Sequence, residues 1–531
     1  PACVVVWGEN LSETLHHVYR RIKKAMNRGT KLIVIDPFKS LISAEADLWL
    51  QLKPGTDLPL ALGIIHVMLQ KKLFNRVFVD SWTVGFEHVV EAVKECTPER
   101  TAERTGLKPE IIVQAAELYG RSRPAVIQWG NGIDHTVENF QTARALCIIR
   151  SISGNVGCPG GEIQWREPPL VPKGSVRFSL HDRIKPEVRN RRLTGGLNML
   201  PFVFYALQAP VIDAILTGKP YPVRAAYVQG CNPLLTFPNS RKVRSAFESL
   251  DFLVVADAFM TPAASLADVV LPSVTYLEFD SLVAPPYSDA VVCLQQRVAR
   301  IGESRSDYEI LRDLAWKMGM EKDFWEKEEE ALDFLLKPTG ITFSEFRKIG
   351  FLYGTKLYRE HEHSGFSTPS KKIELFSARL KEWGFDPVPI FKEKAAHSSS
   401  EYPYLFTSRK RGAYRHSGGR QIPSLRALSP GPLVTMNPDA ARTNGIVDGD
   451  AVLIETPMGK IVQRAVLDEG IRPDVVAIDF GWWFPEKMEE EQFAWDQANV
   501  NILTDDSLPW GSEMGTPNLR GLPCRIEKQS K

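Results

Sequence analysis

Two short clusters, far apart in the chain, combine residue types suited to gripping a nucleotide. Gly8-Glu-Asn10 closes the apolar run Cys3–Trp7, and Gly230-Cys-Asn232-Pro233 closes Ala225–Val228. Each leads into a helix pattern and then a second apolar run that ends in an aspartate, Asp36 after 31–35 and Asp257 after 252–256. A further aspartate, Asp47 or Asp268, precedes a third run. Asn10 to Asp36 spans 26 positions and Asn232 to Asp257 spans 25, while the two aspartates of each copy lie 11 apart. Glycine admits backbone close to a phosphate or sugar. Asparagine offers both a donor and an acceptor in a tight turn. A carboxylate beyond the next strand can accept from ribose hydroxyls or guanine N–H groups. One Gly-x-Asn is as readily a plain strand-to-helix turn. Two ordered copies point instead to a cofactor with two nucleotide arms.

The elements that must position these residues are short β runs alternating with helices, the pattern of an α/β protein with parallel sheets. In such sheets ligands bind beyond the carboxyl ends of the strands. Pro54-Gly55-Thr-Asp57 precedes the stretch 58–69, which reads as an amphipathic helix capped by Thr56 or Asp57. Trp129-Gly130-Asn-Gly132 marks another strand end, and the glycine-rich loop 154–161 follows a further helix pattern. Pro387, Pro389 and the run His397 to Ser400 read as a linker. Beyond it the chain turns β-rich, with hairpin spacing suited to a small barrel. The polar loop around Asn499, Asn501 and Thr504 reads, taken alone, as a set of turn caps.

Composition narrows the function classes. The 531 residues are 44% hydrophobic and 24% charged, with 65 basic against 64 acidic side chains and a net charge of +1. That balance gives no footprint for nucleic acid or an anionic membrane. The seven cysteines include no CxxC pair, so neither a disulfide framework nor a zinc or iron–sulfur ligand set is expected. The most apolar stretch, Leu200 to Leu216, is broken by Pro210 and Asp213 and reads as a buried helix pair, not a membrane insertion. The chain opens directly on a strand pattern, so the first domain is expected to be incomplete at its N-terminal side, in a cytoplasmic protein.

The ordered set of motifs resembles the catalytic subunits of the molybdopterin oxidoreductases, the dimethyl sulfoxide reductase superfamily. It comprises Gly8-x-Asn10, Ile35-Asp-Pro37, Pro54-Gly-Thr-Asp57, Thr83-x-Gly85-Phe86, the 154–161 loop, Asn232-Pro233, Asp257-x-Phe-Met-Thr261, Ala267 to Pro272, Gly445 to Asp450 and Asn499-Val-Asn501. Within the superfamily the chain sits nearest the formate dehydrogenase, polysulfide reductase and acetylene hydratase-like branches, and the segments 219–223, 368–375 and 384–387 are similar to the acetylene hydratase-like members. The resemblance implies a bis-molybdopterin guanine dinucleotide cofactor carrying Mo or W. A 4Fe-4S cluster is then expected only on an upstream segment or a partner, and the metal-ligating residue is unknown. It implies one guanosine arm on Gly8, Asn10, Asp36, Gly55 and Asp57, and the other on Gly230, Asn232, Asp257, Met260 and Asp268. Gly130 and Gly132 would approach the pterin. Thr407, Arg409, Gly412, Tyr414, Asn499, Asn501 and Thr504 would cover the cofactor. The implied architecture is two related α/β nucleotide-binding domains, 1–165 and 166–315, a small α+β bridging region and linker, 316–400, and a six-stranded barrel of double-psi type, 401–531.

Two residues are candidates for the chemistry itself. Arg166 stands near the position of the family's formate-binding arginine, where a cation would hold an anionic substrate. His416 could handle protons near the pterin. Three functions follow: a two-electron oxidoreductase acting on a small molecule such as formate or a sulfur or oxyanion compound, served by an iron–sulfur electron-transfer subunit; a non-redox hydratase in which the metal activates water; and a non-catalytic electron-transfer subunit that keeps the fold.

Overall fold

The computed structural model describes residues 1–530 apart from 172–182, 195–196, 198, 202–204, 285–289, 393–397, 489–490, 508–510 and 512. His397 and part of the apolar stretch 200–216 fall outside the described residues. In place of the expected buried helix pair, its described residues hold one helix, Gln208–Thr217, with Ala209, Ile212 and Ala214 buried, preceded by non-helical backbone. No helix among the described residues is long and apolar enough to cross a membrane.

The first sheet is built from strands β1 (Cys3–Trp7), β2 (Lys31–Ile35), β3 (Leu48–Leu50) and β4 (Ala125–Trp129). All are parallel, in the order β3-β2-β1-β4. Every side chain of β1 is buried, because a parallel sheet is covered on both faces. Cys3, Val5 and Trp7 pack with the helices Asp57–Gln70, Pro109–Arg121 and Asn139–Ile152, whereas Val4 and Val6 pack beneath His16–Met26 and Leu41–Ala44. The helix Asp57–Gln70 is not amphipathic as expected. Almost all of it from Asp57 to Met68 is buried, and Gly63 lets Thr101 of a neighbouring helix come close. Neither expected cap forms: the Thr56 hydroxyl donates to Lys53 O at 2.7 Å.

The second sheet repeats the plan with β5 (Ala225–Gln229), β6 (Phe252–Asp257) and β7 (Val269–Pro272), again parallel. One face packs Ala226, Val228, Leu253 and Val255 under the helices Gln208–Thr217 and Ser240–Glu248. The other face leaves Tyr227, Phe252 and Val269 exposed at 38%, 46% and 39%. The bridging region is stitched to both preceding units. Thr355–Leu357 pairs with Gln164–Arg166, Ile373–Glu374 runs parallel to Thr83–Val84, and Phe351–Leu352 extends the hairpin of 281–283 and 292–295.

The C-terminal strands β8 (Tyr404–Arg409), β9 (Leu433–Met436), β10 (Ala451–Thr456), β11 (Gly459–Leu467), β12 (Val475–Asp479) and β13 (Arg520–Lys528) close into a six-stranded barrel, ordered β8-β12-β9-β11-β10-β13. Closure leaves no free sheet edge. The barrel touches both sheets' domains. Lys39 N and the Gln51 amide reach Gly470 O on one side, and Asn239 N reaches Thr504 O on the other.

Candidate cofactor-binding site

The order of the first sheet reverses between β1 and β4, and a crevice opens at such a point. The loops that leave these two strands interlock. Gly8 N donates to Ile35 O at 2.8 Å, Gly130 N to Trp7 O at 3.1 Å, and Gly132 N to Gly8 O at 3.2 Å. Gly8 has φ +61°, and a β-carbon there would lie 3.3 Å from Gly132 Cα. Only glycine at both places allows this backbone contact.

Asp36 and Asp57 stand buried at the same edge. Asp36 accepts from Phe38 N at 2.9 Å, and Asp57 accepts from the Trp7 indole at 2.8 Å. Burial pushes the Asp36 carboxyl up to about 7 and Asp57 up to about 6. Gly55, with φ +81°, brings its backbone beside Arg520 O.

The second repeat reproduces this geometry. Gly230 has φ +62°, almost that of Gly8, and a β-carbon there would meet nothing within 4 Å. Asn10 and Asn232 each precede a four-residue helix without capping it through the side chain. Asn10 Oδ1 accepts from the Ser12 hydroxyl at 2.7 Å. Asn232 is buried, and neither its Oδ1 nor its Nδ2 has a partner among the described residues. Leaving both ends of a buried amide unbonded costs several kcal/mol, of order 1–3 per group, so the site is shaped for a polar ligand. Asp257 is half-buried and accepts from Phe259 N, as Asp36 does from Phe38 N. Met260 is exposed beside it.

Asp268 does not belong to this edge. Its carboxylate accepts from Leu253 N at 2.7 Å, at the start of β6, so it closes the amino end of the sheet. Asp47 does the same for Leu32 N at 2.8 Å in the first repeat. The 11-residue spacing therefore reflects a structural clasp, not a ligand contact.

The barrel side is also partly structural. Asn499 Nδ2 donates to Leu234 O and the Ser240 hydroxyl, Asn501 Nδ2 to Leu235 O, and the Thr504 hydroxyl to Asn501 Oδ1. These three residues fasten the barrel to the second α/β unit behind Asn232, with their side chains engaged by protein. Tyr414 is buried and its hydroxyl is committed to Ser429 O at 2.6 Å. Arg409 lies over the Phe38 ring and lowers the pKa of Asp36. Gly412 runs beside Glu13, where a β-carbon would come within 2.8 Å of the carboxylate.

A pocket at the barrel mouth is lined by Arg409, Lys410, Arg411, Tyr414, His416 and Arg420, among others. Arg411 is neutralised there by Asp479, with Nε 3.0 and 2.9 Å from the two oxygens. His416 reaches this pocket, with φ +50° and its carbonyl held by Arg420. Burial and the nearby Lys410 and Arg415 lower its pKa. Arg166 does not reach the site. It lies on the two-stranded sheet with Thr355–Leu357, two-thirds exposed, 3.6 Å from Glu360.

Two residues of the crevice carry no local sequence signal. Arg520, at the start of β13, donates to the Thr407 hydroxyl at 3.2 Å and to the Ser408 hydroxyl at 2.6 Å, while its Nε is buried and unbonded. That contact also occupies Thr407. Burial lowers the Arg520 guanidinium to about 10, against the pull of Asp36 and Asp57. His135 sits 3.2 Å from Arg520 Nη2. The only cue to it is its place three residues after Gly132. Among the described residues no group of three or more His, Cys, Asp or Glu could hold a metal ion.

Residues 1–317 match the family model for molybdopterin oxidoreductase, and residues 404–519 match that for the molybdopterin dinucleotide binding domain. The chain belongs to the molybdopterin oxidoreductase family. Acetylene hydratase of Syntrophotalea acetylenica is 32% identical over 98% of this chain and 76% of its own length. The F420-dependent formate dehydrogenase alpha subunit of Methanocaldococcus jannaschii is 28% identical, covering 99% and 76%. The molybdopterin-containing subunit of Salmonella typhimurium thiosulfate reductase is 27% identical, covering 90% and 68%. The solved structure of acetylene hydratase from Pelobacter acetylenicus superposes with a TM-score of 0.91, at 29% identity, over 99% of this chain and 78% of that one. In this member of the family the region matched to the dinucleotide-binding domain holds the first five strands of the closed barrel, and the longer matched region contains both parallel sheets.

Proposed function

We propose that the chain is the catalytic body of a molybdopterin enzyme that seats bis-molybdopterin guanine dinucleotide across its two repeats and transfers two electrons to or from a small substrate. The observation that carries this reading is the buried, unpartnered amide of Asn232 at the head of the second repeat, in the place that Asn10 holds in the first. Gly8 and Gly230 would admit the ligand's phosphates to the backbone, and Asp36 and Asp257 would accept from the guanosines. The unbonded Nε of Arg520 supplies a positive donor above the first arm. When bound, the cofactor's dithiolenes hold Mo or W and supply the redox or Lewis-acid chemistry. The chain's part is to bind, orient and exclude water. An iron–sulfur segment or partner would carry the electrons.

The likeness to acetylene hydratase, in sequence and in fold, favours a second reading on the same scaffold: addition of water to a carbon–carbon triple bond without net electron transfer. Pterin fluorescence after denaturation and metal analysis of the purified protein test the shared part. Both are expected to be positive, and a protein empty of both overturns it. Substrate-dependent reduction of a viologen dye with formate or a sulfur compound supports the redox reading. Conversion of acetylene to an aldehyde with no dye reduction supports the hydratase instead.

A further inference from the structure

We infer that His135 is a positioning residue for the cofactor, a neutral imidazole whose Nε2–H donates to an acceptor atom of the ligand seated between the first α/β domain and the barrel. The inference rests on the cofactor reading above. It begins with the loop that leaves β4. The short helix Asn131–Asp134 ends at His135, whose carbonyl accepts from Leu519 N at 3.0 Å. This places the imidazole against the barrel's last strand, with Nδ1 3.2 Å from Arg520 Nη2. A guanidinium has only donors, so the contact is attractive only when Nδ1 offers its lone pair. The ring proton then sits on Nε2.

Arg520 cannot turn away to relieve a wrong tautomer. Its Nη1 is held by the Thr407 hydroxyl and by the Ser408 hydroxyl and carbonyl. Protonating Nδ1 would set N–H against N–H beside a fixed cation. The fixed charge acting on the ring is Arg520, which opposes a positive imidazole, as does His416 on the barrel loop whenever it is protonated. Burial adds to them and brings His135 down to about 4. Nδ1 is thus the ring nitrogen engaged by Arg520, and the Nε of the same guanidinium is buried without a partner among the described residues. The buried Arg520 Nε thus awaits an acceptor in the crevice that the imidazole borders, and the ring's remaining N–H is free to donate to the same ligand. A group fixed in one protonation state across neutral pH moves no proton, so His135 orients and does not act as acid or base.

The test uses the protein as purified, with its cofactor, in wild-type form and as His135→Gln and His135→Leu. Pterin retained after prolonged dialysis is the first readout. Glutamine keeps a donor and is expected to stay within about two-fold of wild type. Leucine is expected to lose about five-fold, the loss of one hydrogen bond. Ring-nitrogen NMR is the second: the signal absent from both variants should show the neutral Nε2–H form from about pH 5.5 to 8. Equal retention by His135→Leu, equal loss by both variants, or a ring that titrates between pH 6 and 7 overturns the inference alone. A wild-type protein without pterin overturns the cofactor reading, and the inference with it.

Discussion

Asp36 is held far from its ordinary chemistry. Its carboxyl is raised to about 7, chiefly by burial. A raised acid binds its proton more tightly folded than unfolded, so the stability it lends is full below about pH 4 and is lost as pH rises through about 7. Asp36→Asn removes this titration. Denaturant unfolding without added cofactor should show the variant gaining on wild type by about 2 kcal/mol between pH 5 and pH 8. The opposite slope contributed by His135 is common to both proteins and cancels. A difference that stays flat with pH would show that Asp36 is already charged in the fold. Asp36 was legible in the sequence because it ends a strand at a fixed distance from a Gly-x-Asn. Arg520 was not: its partners Thr407, His135 and Asp36 lie on three other segments, and nothing beside it marks a binding residue. Arg166 stands in the sequence near the position of the family's formate-binding arginine, but strand pairing with 355–357 turns it toward Glu360.

At the scale of elements, the repeat is sound but one of its members faces the other way. Period and spacing give the position of Asp268 along the chain, whereas the end of the sheet it serves depends on where the strand begins. Asp47 and Asp268 each pin the first turn of a neighbouring strand. Alanine at either is expected to cost roughly 1–3 kcal/mol in thermal or denaturant unfolding, with pterin per folded molecule unchanged. Asn232→Ala should do the reverse, cutting pterin content several-fold while raising the stability of the cofactor-free protein, since its buried amide bonds none of the described residues. If Asp268→Ala instead empties the folded protein of pterin, the clasp assignment is wrong. The helix 57–70 was misread for a related reason: Leu, Ile and Val on all sides look like one apolar stripe until neighbouring helices are known to cover the rest.

The whole molecule is held by a barrel with two grips. One joins Gly470 and Arg472 to Lys39, Gln51 and Gly106 of the first domain. The other joins Asp506 to Asn239 at 2.8 Å and to Lys242 at 2.6 Å in the second, where Lys242 also meets Asp213. Asp506 is buried, so Asp506→Ala should destabilise by about 2 kcal/mol, seen as a lower melting temperature and faster proteolysis. An unchanged melting temperature would mean that the Asp506 contacts add nothing to this grip, which Asn499 and Asn501 also hold. A small β-rich barrel is legible in the hairpin spacing after 450, and its six strands follow from the family resemblance, but their order is in neither, since two of the pairings, β8 with β12 and β9 with β11, join parallel strands that no hairpin turn connects. The two grips also set a clock. A cover fastened on one side swings open whenever that side lets go; a cover fastened on both lifts only in the rare intervals when the two releases coincide. Whatever lies beneath the barrel therefore stays for a time set by that joint event, far longer than either contact would hold it alone.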